Sequence, residues 1–383
     1  MGYYIWIAFQ FLVGYNLVLP ILLFLAWLIF KKNTPLAESQ LYEHDFAVIV
    51  TAYEQTTSLP AVVQSLLNLN YSNYLIYVVA DNCDVSSFSI NDNRVKVLKP
   101  PFVLASNTKS HLYAIEHFIR AHEVLTIIDS DNLVHCNYLK ETNKYLHSGF
   151  EAIQGLRAAK NLNTTYACLD AARDIYYHFY DGRILFELGS SATLSGSGMS
   201  FRTSLYKKFL MENQVEGAGF DKVLQNFLIL RGLRIAFDEN AIVYDEKTTK
   251  SDQLVKQRAR WINSWFRYSK LGFAMMARGI TSFNWNQSIF GLIVLRPPLF
   301  IFILLGLICL VINLIINPLH AFIWLCALIL FALGFMVSLV YSKPDKRIYQ
   351  ALSGIPKFMY LQLKSLIRSR NANKDSVATQ HFH

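Results

Sequence analysis

Two long stretches of the chain carry no charged residue, and the first of them opens the sequence. Residues 1–30 contain no Asp, Glu, Lys or Arg, and the basic pair Lys31-Lys32 follows directly. About 20 apolar residues are enough to cross the hydrocarbon core of a bilayer. A secretory signal peptide would begin with its basic residues and would have a shorter apolar segment. The pattern therefore predicts a retained transmembrane helix over residues 4–30.

The second uncharged stretch covers residues 297–342 and is too long for one membrane span. As a single helix it would extend about 69 Å, against a hydrocarbon core of about 30 Å. Asn317-Pro318, near its middle, is a turn signal. The sequence predicts two spans, at about 291–315 and 319–341, with a pair of buried core helices as the alternative.

Between the apolar stretches, short runs rich in branched residues alternate with segments of helical spacing. Residues 59–69 and 111–122 have the spacing of amphipathic helices. Four runs are predicted to be buried strands: 47–50, 75–81, 95–99 and 124–131. Strands that alternate with helices imply a mostly parallel sheet, whose ligands bind at the carboxyl ends of the strands.

Composition and charge narrow the class of protein. Hydrophobic residues make up 53% of the 383 residues and charged residues 16%, against about 25% charged residues in soluble domains, which excludes a disordered chain. The net charge of +9 could attract nucleic acid, but beside membrane spans anionic lipid headgroups are the favoured partner and no nucleic acid is predicted. The five cysteines form no CxxC pair, which favours free thiols.

The distribution of basic residues predicts the orientation in the membrane. Lys31 and Lys32 follow the first span, and residues 343–383 hold eight Lys and Arg against two Asp, or +6. Basic residues concentrate on the cytoplasmic side. We therefore expect an integral protein of the plasma (inner) membrane with its N-terminus outside and its large middle region in the cytoplasm. Residues 343–383 are expected to form a basic amphipathic helix, interrupted at Pro356, and a tail.

Acidic residues end two of the predicted strands. Asp81 ends one strand, and Asp129 and Asp131 end another. Carboxylates in such places are costly unless they are paired or bind a metal, and Mg²⁺ or Mn²⁺ prefers oxygen ligands and substrate phosphates. The alternative interpretation is a turn or a helix cap.

Three further segments remain ambiguous when each is considered alone. Residues 194–199 are small and flexible, which fits either a loop against a ligand or a turn. Asp221 begins a helix-like stretch and could act as its cap. Residues 257–261, with Trp265 nearby, are typical of a basic aromatic helix at a membrane surface. No P-loop and no GxGxxG motif is present.

Taken in order, these segments resemble the family 2 glycosyltransferases, in particular the processive, membrane-integrated cellulose, hyaluronan and poly-N-acetylglucosamine synthases. The resemblance runs from about Asp45 to Trp265. Its landmarks are VTAYE at 50–54, VVADNCD at 78–84, DSDN at 129–132, LSGSGMSFR at 194–202, GFDKVLQ at 219–225, YDE at 244–246 and QRARW at 257–261.

The resemblance implies an α/β GT-A fold, Rossmann-like and mostly parallel, that uses a nucleotide-sugar donor, expected to be a UDP-sugar, and Mg²⁺ or Mn²⁺. It makes Asp221 the catalytic base and Asp131 the metal ligand. It assigns the donor to Thr51, Tyr53, Glu54, Asp81, Lys109, Asp129 and Arg260. It assigns the acceptor to Gly196, Ser197, Gly198, Gln257 and Trp261.

The chain departs from the family pattern in three places and in its number of spans. The usual Asn-Glu reads Glu54-Gln55, the residue before the base is Phe220 rather than Glu, and the usual Gly-Lys reads Thr108-Lys109. Three spans are fewer than polymer synthases carry, which puts export through this chain in doubt.

The predicted function is inverting, metal-dependent transfer of sugar to a growing polysaccharide at the cytoplasmic membrane face. A single-sugar transferase acting on a membrane lipid and an inactive membrane scaffold are the alternatives, and a partner subunit or homo-oligomer is left open. The predicted divisions are an N-terminal span (1–34), a GT-A domain (35–250), interfacial helices with the QxxRW motif (251–288), two spans (289–342) and the C-terminal segment (343–383).

Overall fold

The computed structural model describes residues 2–34, 36, 42–85, 90–215 and 217–372. Within these residues, eight strands form one sheet in the order β3-β2-β1-β4-β7-β6-β8-β5. The strands are β1 Phe46–Tyr53, β2 Tyr74–Asp81, β3 Val95–Leu98, β4 Val124–Asp129, β5 Leu133–Val134, β6 Ala152–Ala159, β7 Met199–Arg202 and β8 Ile235–Asp245. The predicted tail after residue 372 lies outside the described residues.

The sheet is mostly parallel, as the sequence predicts. Strands β3, β2, β1 and β4 run parallel, and so do β6 and β8. The short β7 is antiparallel to β4 and β6, and β5 is antiparallel to β8. Strands β1, β2 and β4 are buried along most of their length, which explains their continuous apolar runs. The fold is a Rossmann-like GT-A domain.

Helices cover the sheet and continue into an apolar bundle. The helices of the sheet domain are α2 Leu59–Leu67, α3 Asn107–Glu116, α4 Tyr138–His147, α5 Thr165–Tyr177, a π-helix at His178–Ile184, α6 Leu185–Glu187, α7 Thr203–Glu212 and α8 Phe220–Leu230. The remaining helices are α1 Gly2–Phe30, α9 Ser251–Tyr268, α10 Leu271–Thr281, α11 Trp285–Leu295, α12 Leu299–Ile316, α13 Pro318–Ser342, α14 Lys346–Ala351 and α15 Ile355–Arg368, with 3-10 turns at Leu352–Gly354 and Ser369–Asn371.

Three helices are long and apolar enough to cross a membrane, namely α1, α12 and α13. The predicted turn between the last two is confirmed, because α12 ends at Ile316 and Asn317 Oδ1 accepts hydrogen bonds from the N–H groups of Leu319 and His320. The predicted start of α12 at 291 is wrong. Pro297 and Pro298 separate it from α11, since proline supplies no backbone N–H to a helix.

The helix predicted at 111–122 is also displaced, because the structure has α3 at Asn107–Glu116. Beyond it the chain turns back onto β2 through Tyr77. The Tyr77 hydroxyl accepts a hydrogen bond from the Ile119 N–H at 3.1 Å and contacts His122 Nε2 at 2.9 Å. These contacts hold the backbone outside a helix although its apolar spacing continues.

The basic C-terminal segment is helical and packs on the sheet domain. Helix α15 packs against α9, and α14 packs against α5. The predicted interruption lies at Leu352–Gly354, and Pro356 follows in the first turn of α15, where proline fits best. These helices therefore form one wall beside the carboxyl ends of the parallel strands.

Candidate active site

A cavity of about 650 Å³ lies at the carboxyl ends of β1, β2 and β4. Thr51 stands opposite Asp129 in the register of β1 and β4, and Tyr53 stands opposite Asp81 in that of β1 and β2. All four residues line the cavity. Parallel strands bring their carboxyl ends to one edge of a sheet, which is why residues far apart in the sequence meet here.

Asp81 is buried at the end of β2 and orders the neighbouring loop. Its Oδ1 accepts a hydrogen bond from the Leu104 N–H at 2.9 Å, and its Oδ2 accepts one from the Ala105 N–H at 2.7 Å. The loop then supplies Ser106 and Asn107 to the cavity wall. Asp81 therefore shapes the predicted donor pocket in addition to lining it.

Two residues predicted to bind the donor lie away from this wall. Glu54 is exposed, has a φ of +59°, and its Oε1 accepts a hydrogen bond from Asn82 Nδ2 at 3.4 Å. Lys109 lies on the exposed face of α3, while Asn107 and Ser110 of the same helix line the cavity. Direct contact of Glu54 or Lys109 with a ligand finds no support in this geometry.

The DxD pair lies at the turn after β4. Asp129, Ser130 and Asp131 line the cavity. Burial first, and then repulsion from the charge of Asp131, raises the pKa of Asp129 to about 7. Arg157 opposes this shift, while Asp245 and Asp221 add to it. A region of buried negative charge is thus concentrated at one point of the wall.

The segment Gly196-Ser197-Gly198 holds the DxD turn in place through hydrogen bonds to Ser197. Ser197 Oγ accepts hydrogen bonds from the Asp129 N–H at 3.0 Å and from Asn132 Nδ2 at 2.8 Å, and Ser197 is fully buried. The Gly198 carbonyl accepts a hydrogen bond from the Gly155 N–H at 2.8 Å. Of the three residues of this segment that are predicted to bind the acceptor, only Gly196 lines the cavity. Ser197 and Gly198 instead position the turn.

Asp221 lies in the first turn of α8 and lines the same cavity. Lys222 Nζ is 3.2 Å from its Oδ2. The partial positive charge of a helix N-terminus favours a carboxylate in this place. The residue before the helix, Gly219, has a φ of +101°, which is open to glycine and strained for other residues.

The QRARW segment forms part of α9, which lines another side of the cavity. Gln257, Arg260 and Trp261 all line the cavity, and Gln257 Oε1 accepts a hydrogen bond from Thr248 Oγ1 at 3.1 Å. Burial lowers the pKa of Arg260. The Trp261 side chain is 39% exposed, and the guanidinium carbon of Arg258 lies 3.9 Å from its ring centroid.

A chain of ion pairs along the cavity wall has no counterpart in the sequence predictions. Lys247 is buried and pairs with Asp174 and, at 2.8 Å, with Asp245. Asp245 also pairs with Arg157 at 2.8 Å. The YDE landmark at 244–246 supplies Asp245 to this chain, but the partners on α5 and β6, Asp174 and Arg157, lie 70 or more residues away.

The cavity reaches the membrane helices at its other end. Arg296, between α11 and α12, donates from Nη1 to Asp181 Oδ1 at 3.0 Å and from Nη2 to the Tyr176 hydroxyl at 2.9 Å. The apolar residues Leu299 and Phe300, which begin α12, also line this end. The cavity is therefore polar at the strand ends and also has apolar lining at the start of a candidate span.

Within the described residues, no group of three or more His, Cys, Asp or Glu side chains is placed to hold a metal ion. The two DxD carboxylates alone would supply only part of a coordination shell. Mg²⁺ commonly binds through one or two carboxylates, with substrate phosphates and water completing its shell. The arrangement fits a cation that binds together with a diphosphate.

Comparison with known proteins identifies the class of this fold. The family model for "Glycosyltransferase like family 2" matches residues 44–264, close to the range of the sequence resemblance. The chain belongs to this family and is a glycosyltransferase. None of the curated proteins matches the chain.

Two solved structures are similar to the chain at low sequence identity, and the first of them shares its fold. Mannosyltransferase PcManGT from Pyrobaculum calidifontis, in complex with GDP-Man and Mn²⁺, is 12% identical with a TM-score of 0.54, over 94% of this chain and 97% of that one. Residues 1–349 of S. aureus TarS, in complex with UDP-GlcNAc, are 14% identical with a TM-score of 0.44, over 86% and 90% of the two chains.

Proposed function

We propose that this glycosyltransferase moves a sugar from a nucleoside-diphosphate sugar to an acceptor anchored in the membrane, with inversion at the anomeric carbon. The observation that carries the proposal is the continuity of the cavity. Asp129 and Asp221 line its polar part, and Leu299 and Phe300 line its apolar part. An acceptor with an apolar tail and a sugar hydroxyl matches both parts.

In the proposed reaction, Asp221 accepts the proton of the acceptor hydroxyl as that oxygen bonds to the anomeric carbon. The bond from this carbon to the diphosphate breaks in the same displacement, so the configuration inverts. Arg260, which is half-buried in the wall, stabilises the charge that develops on the diphosphate. Trp261 offers an indole face to the acceptor sugar.

Asp131, with Asp129, would hold Mg²⁺ or Mn²⁺. The two carboxylates repel each other in a buried turn, and a divalent cation would offset that repulsion. When bound, the ion supplies Lewis-acid neutralisation of the diphosphate. The presence of Mn²⁺ with the GDP-Man complex of PcManGT supports this assignment.

Processive polysaccharide synthesis is the second candidate, favoured by the QRARW segment on the cavity wall. Among the described residues, the cavity lining includes none from α13 and none from α12 beyond Phe300. A polymer would therefore need a partner subunit or a second copy to provide a path across the bilayer. This geometry favours the membrane-anchored acceptor over a processive polymer.

The proposed location is the inner membrane, with the catalytic domain in the cytoplasm and the N-terminus outside. The basic residues that follow α1 and α13 support this orientation. Labelling of single cysteines with an impermeant reagent at Asn317 and at Lys31 tests it. Reaction at Lys31 but not at Asn317 in intact cells would contradict the proposed orientation.

The decisive assay supplies UDP- and GDP-sugars with Mn²⁺ to the protein in lipid nanodiscs containing membrane acceptors. We expect product in the organic phase, and a 10²- to 10⁴-fold lower kcat for Asp221→Asn with nucleotide affinity retained. Asp252→Asn is the matched control, since Asp252 also lies in the first turn of a helix but is exposed. A product found only as a water-soluble polymer would refute the membrane-anchored acceptor.

A further inference from the structure

Arg258 is a buried cation of the cavity wall for which neither the QxxRW motif nor the proposed reaction has a role. Its side chain is 2% exposed and lines the cavity. Its Nη2 donates to Asp170 Oδ1. In the described part of the chain, its Nε and Nη1 have no hydrogen-bond partner. A guanidinium group has five N–H donors, and a buried donor without a partner destabilises the fold.

Arg258 shares its carboxylate partner with a second arginine. Asp170 also pairs with Arg173, whose guanidinium carbon lies 4.5 Å from the Trp261 ring centroid. Along the chain of ion pairs, Arg157, Lys247, Arg173 and Arg258 pair with Asp245, Asp174 and Asp170, and Asp129 compensates Arg157 at the far end. Among the described residues Arg258 thus has one shared carboxylate, and an anionic ligand group would give it a second partner.

Arg258 lies beside Trp261, one of the residues predicted to bind the acceptor. The chain of ion pairs begins at Arg157, which acts on Asp129. Arg258 stands at the other end of that chain, beside Trp261. Burial lowers the pKa of Arg258 to about 9, which is the expected response of a cation that lacks a full set of partners.

We infer that Arg258 forms an oxyanion subsite for the acceptor, and that the acceptor is a lipid-linked sugar that carries a phosphate group. This inference rests on the proposed function and names its acceptor class. The phosphate binds the buried nitrogens of Arg258 that have no partner among the described residues, the lipid tail extends toward Leu299 and Phe300, and the sugar hydroxyl faces Asp221. The phosphate takes no part in bond making, which stays between the hydroxyl and the donor carbon.

Equilibrium binding of dodecyl phosphate and dodecanol to the protein in zwitterionic nanodiscs tests the subsite without requiring turnover. We expect the wild type to bind dodecyl phosphate at least tenfold more tightly than dodecanol. Arg258→Gln should remove this preference, and Arg258→Lys should restore part of it, because a charge returns without the planar donors. Arg94→Gln is the control, since Arg94 pairs with Asp92 outside the cavity.

Three results would overturn the subsite: equal binding of the two probes by the wild type, an unchanged preference in Arg258→Gln, or an equal loss of nucleotide affinity in that variant. The last result would place Arg258 in the donor site. If Arg258→Gln does not fold, the double variant Arg258→Met with Asp170→Asn removes both charges and carries the test. A phosphate preference without any lipid glycosylation would refute the proposed acceptor while the subsite stands.

Discussion

Asp238 shows how a single buried acid sets a pH limit on the stability of this fold. It lies in β8, is 1% exposed, and its Oδ1 accepts a hydrogen bond from the Asn240 N–H at 2.9 Å. Its Oδ2 has no hydrogen-bond partner among the described residues. Burial raises the pKa of Asp238 to about 7.

Replacing Asp238 should stabilise the protein at alkaline pH. The folded state keeps the Asp238 proton to a higher pH than the unfolded state, so stability falls as pH rises from about 4 to about 7. Asp238→Asn should leave the unfolding midpoint nearly unchanged at pH 4 and raise stability at pH 8 by about 1–4 kcal/mol. Thermal unfolding at both pH values measures this change in stability, and Asp252→Asn, at an exposed position, is the control. If stability depends on pH equally in the wild type, Asp238→Asn and Asp252→Asn, the buried Asp238 carboxylate is not the cause of the pH limit.

The residues that the sequence could not assign are those whose partners are distant along the chain. Asp81, Asp129 and Asp221 are recognisable because they end apolar strands or begin a helix. The structural roles of Lys247 and Arg258 depend on their ion pairs with Asp174 and Asp170 of α5. Sequence periodicity shows which face a residue occupies, but it does not show which side chain stands opposite.

At the scale of elements, the backbone conformation of Gly219, the residue before α8, sets the orientation of Asp221. Gly219 has a φ of +101°, and a Cβ atom added to it would lie 2.7 Å from Cε2 of Tyr268. Gly232, just after the C-terminal end of the same helix, has a φ of +77° and no atom within 4 Å of such a Cβ. Alanine at either position would strain the backbone, but only at Gly219 would its Cβ atom also collide with a neighbouring side chain.

Gly219→Ala should therefore lose activity where Gly232→Ala does not. Both variants should lose about 1–2 kcal/mol of stability, because left-handed backbone is strained for alanine. Only at Gly219 must Tyr268 or the first turn of α8 move, which displaces Asp221 from the reacting atoms. We expect at least a tenfold lower kcat for Gly219→Ala alone. Similar kcat values in the two variants would show that crowding at Tyr268 has no effect on the site.

The predicted boundary of an element is accurate where a residue next to it in the sequence ends the element. It is inaccurate where a contact with a distant part of the chain ends it. Asn317 caps α13 through its own side chain, so the turn could be predicted from the sequence alone. The end of α3 depends on the Tyr77 hydroxyl of β2. The antiparallel β7 has only four residues, too few for a periodic pattern to identify it.

At the scale of the whole molecule, one side chain links the three candidate spans. Gln10 of α1 is buried, and its Oε1 accepts hydrogen bonds from Asn313 Nδ2 of α12 and Trp324 Nε1 of α13, both at 2.6 Å. Polar contacts between helices hold bundles together in lipid, where burial of apolar surface gives no driving force.

Gln10→Leu should loosen this bundle without changing the chemistry of the cavity. Loss of both hydrogen bonds should lower stability by about 1–2 kcal/mol and leave Asn313 and Trp324 without these contacts. Thermal unfolding in detergent measures the change, and kcat well below the midpoint should stay unchanged. Phe11→Leu is the control on the exposed face of the same helix. A midpoint equal to that of the control would exclude Gln10 as the link.

The π-helix at His178–Ile184 joins the cavity and the bundle in a single segment. His178 and Asp181 line the cavity, whereas the Tyr180 hydroxyl donates to the Gly334 carbonyl of α13 at 2.7 Å. Membrane spans tilt when the bilayer is thinner or thicker than their apolar length. Tilting of the candidate span α13 in a bilayer would therefore move one wall of the cavity, and we expect turnover to depend on the acyl-chain length of the surrounding lipid.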